Sequence, residues 1–253
     1  MKLLRNARLT ILGPPVLTCA GARVDLGTPQ QQAVATVLLA NAGSYVPLAR
    51  LVDDLWGPSA PSGPGSVVRT YVSRLRRVLA PFGLDQAIKS RPGCYLLDPV
   101  PFAVDAEEFD SLSTAARREP GVRAAKRLLD DALALWSGTA LAGVPGETAE
   151  RERSRLSRLR LDAVEDWLWL RIELGEHREV AAGARLLIDE NRWEEPLYEI
   201  YLTALHRSGR RAEALAAYRS TRELFSRELE VVPGPRLQAV HEEILAGVSR
   251  RAS

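Results

Sequence analysis

Sulfur and imidazole are scarce in this chain: two cysteines, one methionine and three histidines among 253 residues. Cys19 and Cys94 each stand beside a strand-like segment. Two thiols are too few for a disulfide framework or a thiolate metal site, so half-buried thiols in a reducing cytosol are expected. His177, His206 and His241 have no metal-ligand spacing and read as solvated or helix-packing residues, so no metal is expected. No uninterrupted apolar run is long enough for a membrane span. The opening MKLLRNARLTILGPP is interrupted too soon for a secretory signal, which makes a cytoplasmic protein the expectation. Catalytic patterns are missing as well. Gly138 and Gly143 have a phosphate-loop interval, but Val144 and Pro145 follow where Lys and Ser/Thr are required. Acidic pairs such as Asp130–Asp131 and Glu242–Glu243 read as solvated helix faces. Neither an enzyme nor a cofactor is expected.

What is present is a soluble-type composition, 46% hydrophobic and 26% charged, long enough for two domains. The net charge of +2 hides an asymmetry. Residues 1–102 carry 11 Lys and Arg against 5 Asp and Glu, a net of +6, whereas residues 103–253 carry 23 against 27, a net of −4. A basic front favours a polyanion site there. Nearly all the positive charge is arginine, which suits bidentate recognition of phosphate and guanine, although a G+C-rich genome produces the same excess.

Leu9–Leu12, Val16–Thr18 and Arg23–Leu26 read as short strands separated by Gly/Pro turns. Thr28–Pro29 reads as an N-cap followed by proline at the first helical position, opening a helix to about Asn41. Leu48–Trp56 is a second helix, with Leu48, Leu51, Val52, Leu55 and Trp56 at i, i+3, i+4, i+7 and i+8. Trp56 reads as a core plug. The stretch 57–65, GPSAPSGPG, is expected to be irregular. A third helix covers Ser66–Leu79, and Gln86–Ser90 and Cys94–Leu97 form a hairpin about Arg91-Pro92-Gly93.

The third helix carries the chemistry. Val68, Tyr71, Val72, Leu75, Val78 and Leu79 form its apolar seam. Arg69, Thr70, Ser73, Arg74, Arg76 and Arg77 occupy the rest: four guanidinium groups and two hydroxyls able to bond phosphates and base edges. Two helices, an arginine-rich third and a hairpin make a winged helix-turn-helix for duplex DNA. Lys89, Arg91 and Gly93 are expected at the hairpin tip, within reach of phosphates or the minor groove. Thr28 and Gln30 can offer a phosphate hydroxyl, amide and backbone N–H groups, although capping explains Thr28 equally well.

Asp98–Pro101 reads as the domain boundary, dividing a DNA-binding domain, 1–102, from an all-helical domain, 103–253. Helices are expected at Val104–Arg117, Val122–Trp136 and Thr148–Leu174. Gly175 and Gly209 stand 34 residues apart, and Trp167/Tyr201, Leu168/Leu202 and Glu179/Glu213 match at that offset. A 34-residue period in paired helices is the tetratricopeptide signature. Ala214 and Tyr218 fit its small and aromatic positions, while Val180 and Ala184 depart from them. The fold class is therefore an α+β winged helix followed by a tetratricopeptide-like helical domain.

The segments LVDDLWG (Leu51–Gly57), TYVSRLRRVL (Thr70–Leu79), RPGCYLL (Arg91–Leu97), VDAEEFDSL (Val104–Leu112) and the long stretch Glu190–Leu237 resemble the Streptomyces antibiotic regulatory protein family, and the similarity covers essentially the whole chain. The resemblance implies an OmpR-like winged helix joined to a bacterial transcriptional activator domain. It implies a pathway-specific activator of antibiotic biosynthesis genes that binds tandem repeats near the −35 region, two copies side by side, and engages RNA polymerase. It also implies that the loop Gly57, Pro58, Ser59, Ala60, Pro61, Ser62 faces the polymerase, at region 4 of the sigma factor. Larger members continue into a nucleotide-binding segment, which is not expected here. The alternatives are a tetratricopeptide-type adaptor with a basic front domain, and a regulator gated by a small molecule in the helical groove.

Overall fold

The structure, a computed structural model, describes residues 7–247. The first six residues of the start that argues against a secretory signal therefore lie outside the described residues. The elements run β1 (Ala7–Thr10), β2 (Val16–Cys19), β3 (Ala22–Val24), α1 (Pro29–Ala40), β4 (Val46–Pro47), α2 (Leu48–Trp56), α3 (Pro64–Leu79), β5 (Ile88–Arg91), β6 (Cys94–Leu97) and β7 (Phe102–Val104). The helices α4 (Asp105–Arg118), α5 (Val122–Leu133), α6 (Glu147–Glu173), α7 (His177–Glu190), α8 (Glu195–Arg207), α9 (Arg211–Leu229) and α10 (Pro235–Ala246) follow. The described residues divide into two compact units, one containing residues up to Leu112 together with Asp131–Arg160, the other containing Ser113–Asp130 and the chain from Leu161 onward. No described helix is long and apolar enough to cross a membrane.

In the first unit a four-stranded sheet has the order β3-β2-β1-β7. Its pairs are antiparallel except β1 with β7, which run parallel with Leu9 opposite Val104. The chain thus returns to its first strand after the proline-rich segment read as a boundary. A second, antiparallel sheet has the order β4-β6-β5. Between the sheets and the three helices lies one core, including Val34, Val37 and Leu38 of α1, Leu51 of α2, and Val68, Val72, Leu75 and Leu79 of α3. Each such side chain contributes roughly 1.5–3 kcal/mol when fully buried, which holds the helices in fixed orientations. Trp56 packs half-buried against this core, as its spacing in α2 predicts. Cys19 is a buried free thiol and Cys94 a half-buried one.

Local chemistry explains the helix ends. The Thr28 hydroxyl accepts the Gln31 N–H at 3.3 Å, and Pro29 takes the first turn, where its missing N–H costs nothing. The third helix starts two residues earlier than its composition suggests. Gly63 turns at φ +63°, Pro64 fills the first helical position, and Gly65 is already helical. Gly57–Ser59 forms a 3-10 turn, so the irregular stretch is shorter than expected.

An unforeseen junction joins α2 to the start of α6. The Asp54 carboxylate accepts the Thr148 N–H at 2.7 Å and caps that helix. Gly146 lies against it at φ +104°, and a Cβ there would stand 2.7 Å from Asp54 Oδ2. Arg153 holds the preceding loop by donating to the carbonyls of Ala140, Leu141 and Val144. Gly146→Ala adds strain of about 1–3 kcal/mol from its backbone angle and then displaces the capping carboxylate. The denaturant midpoint should fall by at least the equivalent of the strain, and an unchanged midpoint refutes this account of the junction.

In the second unit the 34-residue offset appears in the hydrogen bonds themselves. The Gly175 N–H donates to Ile172 O and the Glu176 N–H to Arg171 O; 34 residues on, Gly209 donates to His206 O and Arg210 to Leu205 O. Both glycines have positive φ, +85° and +80°. Leu168 and Leu202 are both buried, as are Ala214 and the departing pair Val180 and Ala184. Tyr218 stacks on His241 with ring centroids 3.8 Å apart, and His177 Nε2 lies 3.1 Å from Ile172 O, so two of the three histidines are packing residues.

Candidate nucleic-acid interface

On α3, Val68, Val72, Leu75 and Leu79 are buried while Arg69, Thr70, Ser73, Arg74 and Arg77 are exposed. At about 100° per residue those five positions span an arc of about 140° opposite the buried seam. None of the guanidinium groups of Arg69, Arg74 and Arg77 is bonded to another described residue. The Thr70 hydroxyl donates to Ser66 O at 3.0 Å and keeps its lone pairs for an incoming donor.

Arg76 departs from the expectation that it is free for DNA. It lies at the edge of the seam, beside Val72 and Leu79 in projection, and it is half-buried. Its Nε and Nη2 donate to Ile88 O at 2.9 and 2.7 Å. Arg76 therefore ties α3 to the first residue of β5.

That tie leads into the wing, the hairpin of β5 and β6, closed by Pro92 and Gly93 with Arg91 opposite Cys94. Gly93 has φ +72°, a conformation that favours glycine and makes this turn possible. Lys89 is also corrected. It lies three residues before Pro92, opposite Leu96, rather than at the tip, and its ammonium pairs with Asp98 at 2.9 Å. The hydrogen bond from Lys89, with the N–H of Val100, holds the Asp98 carboxyl below its usual range, and the same bond raises Lys89. Arg91 is at the tip, exposed, with its guanidinium over the Tyr45 ring at 4.2 Å from the centroid. The start of α2 also meets the turn, through Leu48 N–H to Gly93 O at 2.8 Å.

Thr28 and Gln30 are both exposed at the start of α1, and the Thr28 oxygen is engaged as a cap. In the loop after α2, Gly57 is half-buried and Pro58, Ser59, Ala60, Pro61 and Ser62 are exposed. Tyr45 is the residue that pattern reading missed, because only the β4–β6 pairing brings it beneath Arg91. Among the described residues no group of three or more His, Cys, Asp or Glu could hold a metal ion.

A three-helix head with a β-hairpin wing, followed by paired helices, defines a transcriptional regulator of the winged-helix class. Residues 21–94 match the family model for the C-terminal domain of transcriptional regulatory proteins, and residues 104–245 match that of the bacterial transcriptional activator domain. The chain belongs to the Streptomyces antibiotic regulatory protein family. It is 38% identical over 241 residues to the regulatory protein AfsR of Streptomyces griseus, covering 94% of this chain and 24% of that protein. It is 31% identical to the regulatory protein DnrI of Streptomyces peucetius, covering 94% of this chain and 92% of the other. This chain thus spans about a quarter of AfsR and nearly all of DnrI. A solved structure of Mycobacterium tuberculosis EmbR, in complex with a low-affinity phosphopeptide, superposes with a TM-score of 0.87 at 29% identity, over 97% of this chain and 66% of the other.

Proposed function

We propose that this chain is a sequence-specific activator that binds tandem-repeat promoter DNA of antibiotic biosynthesis genes and recruits RNA polymerase there. The carrying observation is the arc of Arg69, Arg74 and Arg77, three charges without a partner among the described residues on one exposed face beside a wing. An α-helix fits the major groove, where arginine reads guanine O6 and N7 bidentately and other arginines fix the backbone. Residues 1–102 read DNA, and 103–253 form the activator part. Two copies lie side by side on repeats, at a separation near one helical turn, about 10–10.5 bp. The exposed Pro58–Ser62 segment is the polymerase-facing surface, directed at sigma region 4.

The test is fluorescence anisotropy with a tandem-repeat promoter fragment against a scrambled one, over a range of salt. Affinity should favour the repeats and fall steeply with salt, with a log–log slope of about −0.9 per neutralised phosphate. An adaptor with a merely basic front shows no sequence preference. A flat salt response refutes the electrostatic basis.

A further inference from the structure

We propose that Tyr45 is a positioning residue for DNA binding: its ring holds the Arg91 guanidinium at the wing tip ready for the phosphate or minor-groove edge it meets. The inference deepens the DNA-binding reading and rests on it.

The three cations that α3 and the wing bring to this junction are held in three different ways. Arg76 has its Nε and Nη2 donors on a backbone carbonyl. Lys89 has its charge offset by Asp98. Arg91 alone of the three is held without a hydrogen bond or an acidic partner among the described residues; what it touches is the face of Tyr45. A π-face attracts a cation through its quadrupole and uses none of the N–H groups. Arg91 therefore keeps all five donors and its full charge while losing much of its conformational freedom before DNA arrives. Tyr45 can do this because its own position is fixed. The Gly43 N–H bonds to Leu97 O on one side, and Val46 and Pro47 pair with Tyr95 and Cys94 on the other. The ring is half-buried, so it is a platform rather than a free side chain.

Three single variants, one double variant and one spectrum test this. Tyr45→Phe keeps the π-face and should bind DNA as the wild type does. Tyr45→Leu should weaken binding about two- to fivefold, the range of an exposed cation–π contact, with the salt slope kept because Arg91 still reaches its phosphate. Arg91→Ala should reduce the magnitude of that slope by about 0.9. In the Arg91→Ala background, Tyr45→Leu should cost nothing further, since the coupled pair is already broken. The side-chain NMR signals of Arg91 in the free protein should show a ring-current shift that survives Tyr45→Phe and disappears in Tyr45→Leu.

If Tyr45→Leu is equally costly with and without Arg91, the ring acts on its own or through the fold, and the proposal is overturned. An Arg91→Ala variant that matches the wild type overturns it too, while leaving the α3 assignment standing. A wild-type protein that binds no DNA removes the parent reading and this one together.

Discussion

Replacing Arg69 and Arg77 together by alanine should lower affinity for the tandem-repeat site by on the order of a hundredfold and leave the folding midpoint where it was. The two residues are eight apart on α3, about 12 Å along the axis, and both lie on the exposed arc. Neither has a partner inside the described protein, so removing them breaks nothing in the free chain. A good bidentate pair to a base discriminates by about 1–3 kcal/mol, and a phosphate contact adds its share of counterion release. Arg76→Ala should behave in the opposite way. It strips Ile88 O of two charge-assisted hydrogen bonds at the root of the wing, and a half-buried carbonyl left without a partner costs about 1–3 kcal/mol. Its main effect is then on the denaturation midpoint, with affinity reduced only as far as the wing loosens. Anisotropy and urea melts on the same samples separate the two. If Arg76→Ala erases the sequence preference at full stability while the double variant binds normally, the assignment of the reading face is inverted.

That contrast marks where pattern reading stops. Helical periodicity separates two faces, and it placed Arg76 with Arg69, Thr70, Ser73, Arg74 and Arg77 on the exposed one, where all but Arg76 stand. A residue at the edge of the seam is decided by what lies beside the helix, and for Arg76 that is the end of a strand twelve residues away. Lys89 shows the same limit, because its partner Asp98 becomes a neighbour only once the hairpin register is fixed. Elements with strong local signals were legible almost to the residue. The range Leu48–Trp56 for α2 is an example, and the Thr28 cap with Pro29 is another. The β7 strand was not legible: three residues after a proline-rich stretch carry no alternation, and their pairing with β1 spans more than ninety residues of sequence. Long-range parallel pairing leaves no trace in a local window. The 34-residue repeat was legible because it demands a positive-φ glycine at each turn, and only the side chains between could vary.

The residue that secures this illegible strand is Asp105, and its loss should be the largest single destabilisation in the first unit. It opens α4 directly after β7, is 1% exposed, and its two oxygens accept Ile11 N–H at 2.8 and 3.0 Å and Leu12 N–H at 3.1 Å, where the chain leaves β1. The N-terminal end of α4 adds a favourable dipole for the anion. Burial is the largest influence on the carboxyl and pushes it up, against the N–H groups of Ile11, Leu12 and Ala106 and the charge of Arg8, which favour ionisation. Asp105→Ala leaves two buried N–H groups unpaired at about 1–3 kcal/mol each, so a loss on the order of 3–5 kcal/mol is expected in urea denaturation. Asp105→Asn keeps the shape and one good acceptor, and should lie between. The titration has a definite sign. A carboxyl raised in the folded state binds its proton more readily there than in the unfolded chain, so its contribution falls as pH rises from the unfolded value toward the folded one and is level above. The gap between wild type and Asp105→Ala should therefore widen as pH drops through that window. An Asp105→Ala protein within about 0.5 kcal/mol of wild type, the range of an ordinary surface substitution, would show that strand pairing and apolar packing hold the β1–β7 junction without this carboxylate.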